Sequence, residues 1–336
     1  MRQGKEPARL GRRACLAVAV GGLAGAATES RAADRATIRL GILQFGTVQW
    51  VAEIIRRHAL DATNAIALET VVLANNDAGR VALMAGAADV IVSDWFFVAS
   101  QREAGTRLRF APFSSAAGGV MVRPDSPLRG LADLAGARLG VAGGPVDKSW
   151  LVVQAAARGA ENLDLARTAA VVYGAPPLLN AKLLQGELDA VLTFWNFAAR
   201  LEAAGCRELV SVAECAHRLG LPDHLSLIGF VFHEDWARQR PAAIDGLLAA
   251  VAAAEARLVS SPDEWQPIRP LMEAPDDALF ASLRRRFIDG VAHLDAPAQE
   301  QAAQRLFEIL VRTGGSRATS GMERLPEGIF WPSGHG

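Results

Sequence analysis

The chain has 336 residues, a formal net charge of −1, 51% hydrophobic residues and 21% charged ones. That balance describes a folded protein with a large core and room for two domains, and it excludes disorder as the main state. A near-zero charge without any long basic run excludes a nucleic-acid binder, and lysine occurs only at Lys5, Lys148 and Lys182.

Residues 1–32 read as a secretory signal. Arg9-Leu10-Gly11-Arg12-Arg13 precedes an apolar stretch from Ala14 to Ala27, and Ser30-Arg31-Ala32 supplies small residues for cleavage. The stretch is too short and too rich in glycine to suit a membrane-spanning helix. Arg12-Arg13 hints at twin-arginine export, but the ordinary secretion route fits better. Cys15 lies before the apolar segment, so it is not placed as a lipoprotein anchor. The expected location of the mature chain is the periplasm. Ala242 to Val259 is the next most apolar segment, but Asp245, Glu255 and Arg257 interrupt it. Cys206 and Cys215 suit a disulfide in an oxidising compartment, yet the strand expected between them would hold the thiols apart, and both outcomes stay open. No fourth ligand for a zinc ion accompanies them and His217.

Beyond the signal, short apolar runs alternate with helical periodicity. Strands are expected at Ile38–Leu43, Ala67–Leu73, Asp89–Val92 and Leu108–Phe113, with helices from Val48, Gly79 and Trp95 between them. Ser114 to Gly119 is a small-residue stretch without periodicity, a candidate hinge. The alternation then resumes. Strands are expected at Arg138–Ala142, Ala169–Tyr173, Asp189–Thr193, Glu208–Ala213 and Leu225–Phe232, with helices from Lys148, Pro177 and Trp195. Amphipathic helices follow at Ala242–Val259, Asp276–Ile288 and Ala298–Arg312, and a Gly-, Ser- and Pro-rich tail begins at Gly315. Such alternation implies α/β architecture with parallel sheets covered on both faces.

An internal repeat organises this pattern. Gly86-Ala87-Ala88-Asp89 and the run through Trp95-Phe96-Phe97 align with Gly186-Glu187-Leu188-Asp189 and the run through Trp195-Asn196-Phe197 at a constant offset of 100. Leu40-Gly41 matches Leu139-Gly140, and Trp50 falls opposite Trp150. The period is too long for a solenoid and suits two lobes of similar build. Trp95 and Trp195 each follow a short strand and open a helix, the place where ligands sit in open α/β sheets.

The phrase Leu131-Ala132-Asp133-Leu134-Ala135-Gly136-Ala137-Arg138-Leu139-Gly140, with Leu184-Gln185-Gly186-Glu187-Leu188-Asp189-Ala190-Val191, resembles the type 2 periplasmic substrate-binding proteins of importers for nitrate, taurine, alkanesulfonates and the thiamine pyrimidine precursor. The resemblance covers most of residues 36–310. It implies a two-lobed α/β fold with a hinge and a central ligand cleft. By the same resemblance ligand would be held by Phe45, Thr47 and Trp50, by Ser93, Asp94 and Trp95, by Val146, Asp147, Lys148 and Ser149, and by Phe194, Trp195 and Asn196. The implied partners are a small molecule, aromatic, heterocyclic or anionic, and a membrane permease with its ATPase. The protein is expected to act as a monomer without cofactor or metal. Trp195-Asn196 suits a flat neutral heterocycle and Asp94 beside Trp95 an organic cation, and both stay open, whereas sulfonate or nitrate binders would be expected to use more basic and hydroxyl groups than Asp94 and Asp147 suggest.

No nucleophile sits in a G-x-S-x-G setting, Gly143-Gly144-Pro145 lacks the ending of a phosphate-binding loop, and His233-Glu234-Asp235-Trp236 lacks a second histidine for zinc. No catalytic residue is therefore expected. The alternatives are an enzyme resembling the pyrimidine-precursor synthases, whose cysteine-rich iron motif is not matched, and a periplasmic ligand sensor. The expected lobes are 34–118 with 226–336, and 119–225. Trp95 and Trp195 are expected to face each other across the cleft. Lys148 either reaches the ligand or points to solvent while Asp147 caps its helix.

Overall fold

The computed structural model describes Met1 and residues 35–332 apart from Phe45, residues 292–294 and Ser320. Apart from Met1, the expected signal, residues 1–32, lies outside the described residues. Ten strands are described: β1 (Ala36–Leu43), β2 (Ile66–Leu73), β3 (Val90–Asp94), β4 (Leu108–Ser114), β5 (Gly119–Val122), β6 (Arg138–Ala142), β7 (Ala170–Gly174), β8 (Ala190–Thr193), β9 (Arg207–Ser211) and β10 (Ile228–His233). They form two five-stranded sheets of order β2-β1-β3-β10-β4 and β7-β6-β8-β5-β9.

The repeat is preserved down to the pairing register. Leu40 pairs with Val90 and Gly41 with Ile91 in the first sheet; Leu139 pairs with Ala190 and Gly140 with Val191 in the second. The shared aspartate explains the motif that announced it. Arg39 donates its backbone N–H (2.8 Å), Nε (3.0 Å) and Nη2 (2.7 Å) to Asp89. Arg138 donates the same three groups to Asp189, at 2.8, 3.0 and 2.6 Å. Burial alone would raise the Asp89 carboxyl, yet the Arg39 hydrogen bonds and charge hold it below its ordinary value, and the bond from Arg138 does the same for Asp189. Each motif glycine, Gly86 and Gly186, has a positive φ (69° and 77°), which lets the chain turn from helix into strand without a Cβ penalty.

Parallel pairing is only part of each sheet, contrary to the all-parallel expectation. β10 runs antiparallel between β3 and β4, and β5 runs antiparallel between β8 and β9. β5 was absent from the expected strands because four residues buried on both faces carry no alternation to read. Each antiparallel strand begins where the chain has just crossed between sheets.

The C-terminal helices pack on both halves. The helices Pro241–Ser260 and Trp265–Met272 lie against the helix Val48–Arg57 beside the first sheet. Asp277–Asp289 instead packs on Trp195–Ala203, and Ala296–Ala318 on Lys148–Glu161, both beside the second sheet. Glu202 fastens the first of these contacts, accepting from Ser282 Oγ (2.8 Å), Arg285 Nη2 (2.7 Å) and Arg286 Nε (3.0 Å). The tail then returns to β4, where Phe110 N donates to Ile329 O and Trp331 N to Phe110 O, each at 2.7 Å.

Cys206 and Cys215 are both free and buried. Cys206 packs with Met121 and Val191, whereas Cys215 packs with Val120 and Leu192, the alternate residues of the same strands. The thiols therefore lie on opposite faces of the second sheet and cannot bridge. Burial pushes the Cys215 thiol up to about 12, so it is an inert core group.

Glu255, half-buried on the helix Pro241–Ser260, is held up at about 8 by burial, against an ordinary 4.5. Its folded form resists ionisation, so it subtracts stability increasingly as pH rises from about 4.5 to 8. Glu255→Gln should therefore raise the melting temperature more at pH 8.5 than at pH 5, as followed by circular dichroism.

Candidate functional site

Strand registers locate the site. Ile228 pairs with both Asp94 and Ser114, so the carboxyl end of β3 lies at the sheet end where the chain leaves β4. Gly119 pairs with both Thr193 and Ser211, so the carboxyl end of β8 lies where the chain enters β5. Ser114 and Gly119 are five Cα steps apart, at most about 19 Å. The strand ends carrying Ser93-Asp94-Trp95 and Thr193-Phe194-Trp195 thus converge on one crossing between the sheets. The crossing is braced by a third segment: Gly290 O accepts from Ser115 N (2.9 Å) and Ser114 Oγ (3.2 Å), and Val291 bridges Ser114.

Both aspartates expected in the site are committed elsewhere. Asp94 Oδ1 caps the helix Trp95–Glu103 by accepting from Phe97 N (2.9 Å), and its Oδ2 accepts from Arg80 Nη2 (3.1 Å). Asp147 caps the helix Lys148–Glu161, accepting from Ser149 N (2.9 Å) and Trp150 N (3.4 Å). These caps satisfy N–H groups at the starts of two helices whose loops were expected to hold ligand. The helix Trp195–Ala203 differs. Its cap residue, Phe194, has no acceptor in its side chain, and Phe197 N turns back to Phe194 O (2.9 Å). Its first turn keeps free N–H donors, the positive end of the helix dipole.

Lys148 lies beside that turn. Its side chain is 15% exposed, and Nζ sits 5.8 Å from the centre of the Phe194 ring and 3.9 Å from Asp147 Oδ2. Asp147 does cap, as one of the two expectations held, but Lys148 does not point to solvent. The structure joins the two expected loops through a cation–π contact. Ser149 is buried and Asn196 half-buried, whereas Val146 is 61% exposed and turns to solvent. Thr47 is half-buried at the cap of the helix Val48–Arg57, and Phe45 lies outside the described residues.

The facing pair of tryptophans is corrected. Trp95 is fully buried and stacks on Phe96 with ring centres 3.9 Å apart. Trp195 instead meets Trp50 edge-on at 5.9 Å, and Trp50 also touches Trp265 (6.2 Å) and Phe287 (5.8 Å). The repeat placed the two rings at equivalent points of their own lobes, but equivalence does not turn them toward each other. The cluster of Trp50, Trp195, Trp265 and Phe287 ties the first-sheet helix to the second-sheet one.

Three polar atoms at these strand ends are buried without a hydrogen-bond partner: Ser93 Oγ, Thr193 Oγ1 and Trp95 Nε1. Thr193 was not among the expected residues, although the offset of 100 that aligns it with Ser93 was visible. Among the described residues no group of three or more His, Cys, Asp or Glu side chains is arranged to hold a metal ion, and no helix is long and apolar enough to cross a membrane.

Residues 62–265 match the family model described as NMT1/THI5 like. No curated protein matches the sequence. Among solved structures, the periplasmic aliphatic sulphonate binding protein SsuA from Escherichia coli superposes with a TM-score of 0.68 at 18% identity, over 88% of this chain and 95% of that one. The alkanesulfonate-binding protein SsuA from Xanthomonas axonopodis pv. citri, bound to MOPS, gives 0.65 at 17% identity, over 90% and 100%. The desulfurization enzyme DSZB gives 0.53 at 18% identity, over 83% and 93%. These likenesses establish the two-lobed α/β fold.

Proposed function

The chain belongs to the NMT1/THI5-like family, whose model covers more than half of it, and on that premise we propose that it is the periplasmic binding component of an ABC importer. It captures a small organic anion between the lobes and delivers it to a membrane permease and its ATPase. The observation that carries this reading is the convergence of both sheets' carboxyl ends on one crossing. Two lobes joined there can close on a ligand. We assign one lobe to 34–118 with 226–336 and the other to 119–225, with the C-terminal helices lying across both. The secretory segment would bring the monomeric protein to the periplasm.

The preference for an anion rests on charge. Asp94 is engaged by Arg80 and Asp147 by helix N–H groups, so Asp147, 3.9 Å from Lys148 Nζ, is shared between its cap and that ammonium, and the helix at Trp195 is uncapped. A negative head near that ammonium and helix end, with an apolar or planar body against Phe194, satisfies both. Lys148→Ala should weaken binding of the best anion in a panel of taurine, ethanesulfonate and MOPS about ten-fold or more, with an unchanged melting temperature. Calorimetric titration of the purified protein reads this directly. Equal affinities for the two proteins would remove the cationic role, and a wild type binding only a neutral aminopyrimidine would refute the anionic ligand.

A further inference from the structure

Ser93 and Thr193 hold corresponding places in the two halves. Thr193 is the last residue of β8 and Ser93 the last but one of β3, each precedes the aromatic helix start by two residues, and each faces a glycine across an antiparallel pair, Gly119 and Gly229 respectively. Ser93 is 6% exposed and Thr193 1% exposed, and neither hydroxyl has a partner. A buried hydroxyl without a partner loses its hydration and gains nothing, a cost usually avoided in folded proteins. Two such groups at matched positions, both at the crossing, point to a shared acceptor that arrives from outside.

The halves differ in what surrounds the hydroxyl. Beside Ser93, Asp94 and Arg80 already neutralise one another and the helix is capped. Beside Thr193, the helix start is uncapped and Lys148 stands over Phe194. On the Thr193 side the hydroxyl and the first helix N–H groups lack acceptors and Lys148 adds a cation shared with Asp147 at 3.9 Å, whereas the Ser93 side contributes a neutral hydroxyl and the unpartnered indole N–H of Trp95.

We propose that Thr193 is a specificity-determining donor for the ligand's head group, with Ser93 as its counterpart from the other lobe. This rests on the binding-protein reading above. The head group seats first on the second lobe, where Thr193 Oγ1 donates alongside the free helix N–H groups and Lys148. Closure then brings the Ser93 hydroxyl and Trp95 Nε1 onto the remaining acceptor positions. An acceptor-rich head is favoured because Lys148 Nζ, the helix N–H groups and Trp95 Nε1 can only donate, and the two hydroxyls, which can also accept, are able to donate beside them.

The test uses the purified protein and calorimetric titration with taurine, ethanesulfonate, MOPS and a neutral hydroxymethyl-aminopyrimidine. Thr193→Val keeps shape and removes the hydroxyl, and Thr193→Ser restores it. For the anion that binds best, T193V should lose about ten-fold or more in affinity and T193S should stay within about three-fold of wild type. Ser93→Ala should weaken the same ligand, and the melting temperatures of unliganded wild type, T193V and T193S should agree. If T193V binds as tightly as wild type, or T193S loses as much as T193V, the assignment of Thr193 is overturned while the binding-protein reading stands. A wild type that binds none of the probes overturns that reading and this assignment with it. A wild type that binds only the pyrimidine, with T193V unaffected, overturns the donor role alone.

Discussion

Glu234→Ala should destabilise the protein by about 3–5 kcal/mol, the range for removing one partner of a buried ion network. Glu234 is 3% exposed and stands among three guanidinium groups, with Arg102 Nη1 at 3.0 Å, Arg109 Nε at 3.1 Å and Arg238 Nη2 at 2.6 Å. Arg102 and Arg109 in turn donate to the carbonyls of Glu327 (2.9 Å) and Phe330 (3.1 Å), so the carboxylate also orders the groups that hold the tail. Its loss would leave the half-buried Arg102 and Arg109 facing one another without a counter-charge. The pH dependence has a definite sign. Burial alone would raise this carboxyl, but hydrogen bonds from Arg109 and Arg102 and their charges hold it down at about 2 against an ordinary 4.5. Because the folded value is depressed, the contribution is complete above about 4.5 and disappears as pH falls toward 2. Urea unfolding of wild type and Glu234→Gln should show a gap at pH 7 that narrows between those limits. A gap independent of pH would assign the effect to packing.

Trp50→Ala is expected to cost a further about 3–5 kcal/mol, the usual loss for a large aromatic side chain deleted from a core. Trp50 is 4% exposed, donates Nε1–H to Leu271 O at 3.3 Å and touches Trp195, Trp265 and Phe287. Its partners come from the helices Trp195–Ala203, Trp265–Met272 and Asp277–Asp289, so the cavity would open between elements serving different sheets. A double-mutant cycle with Trp195→Phe should return a coupling of about 0.5–1.5 kcal/mol. Thermal melts of the four proteins read both quantities, and a coupling near zero would show that the edge-on contact adds nothing beyond burial.

The repeat was the most legible feature because its causes are local in sequence. Gly86 and Gly186 need a positive φ, Asp89 and Asp189 need an arginine on the neighbouring strand, and both demands recur at an offset of 100. The loops at the strand ends followed from that, and Lys148 with Phe194 does come together. What could not be read was direction. Nothing in the spacing of Trp95 and Trp195 says that one stacks on its own neighbour while the other turns to Trp50. Nor does the apolar pattern of the C-terminal helices say which sheet each covers, since an amphipathic face specifies burial and not a partner. Thr193 was passed over for a different reason. A hydroxyl inside a short apolar strand reads as core until its lack of a hydrogen-bond partner is seen.

The interrupted course of the first sheet also sets an order of assembly. The second sheet takes all its strands from one continuous stretch, Gly119 to Ser211, and can complete its pairing once that stretch is available. The first sheet cannot. Its strand between β3 and β4 is Ile228–His233, which follows the entire second sheet in the chain. As the polypeptide emerges from its N-terminus, β3 and β4 must wait with apolar edges unpaired, and such edges invite association with other chains. Non-local pairing of this kind is also slow to form. Refolding from denaturant should therefore show the second half protected first, with the aggregation-prone interval ending only when β10 enters its slot.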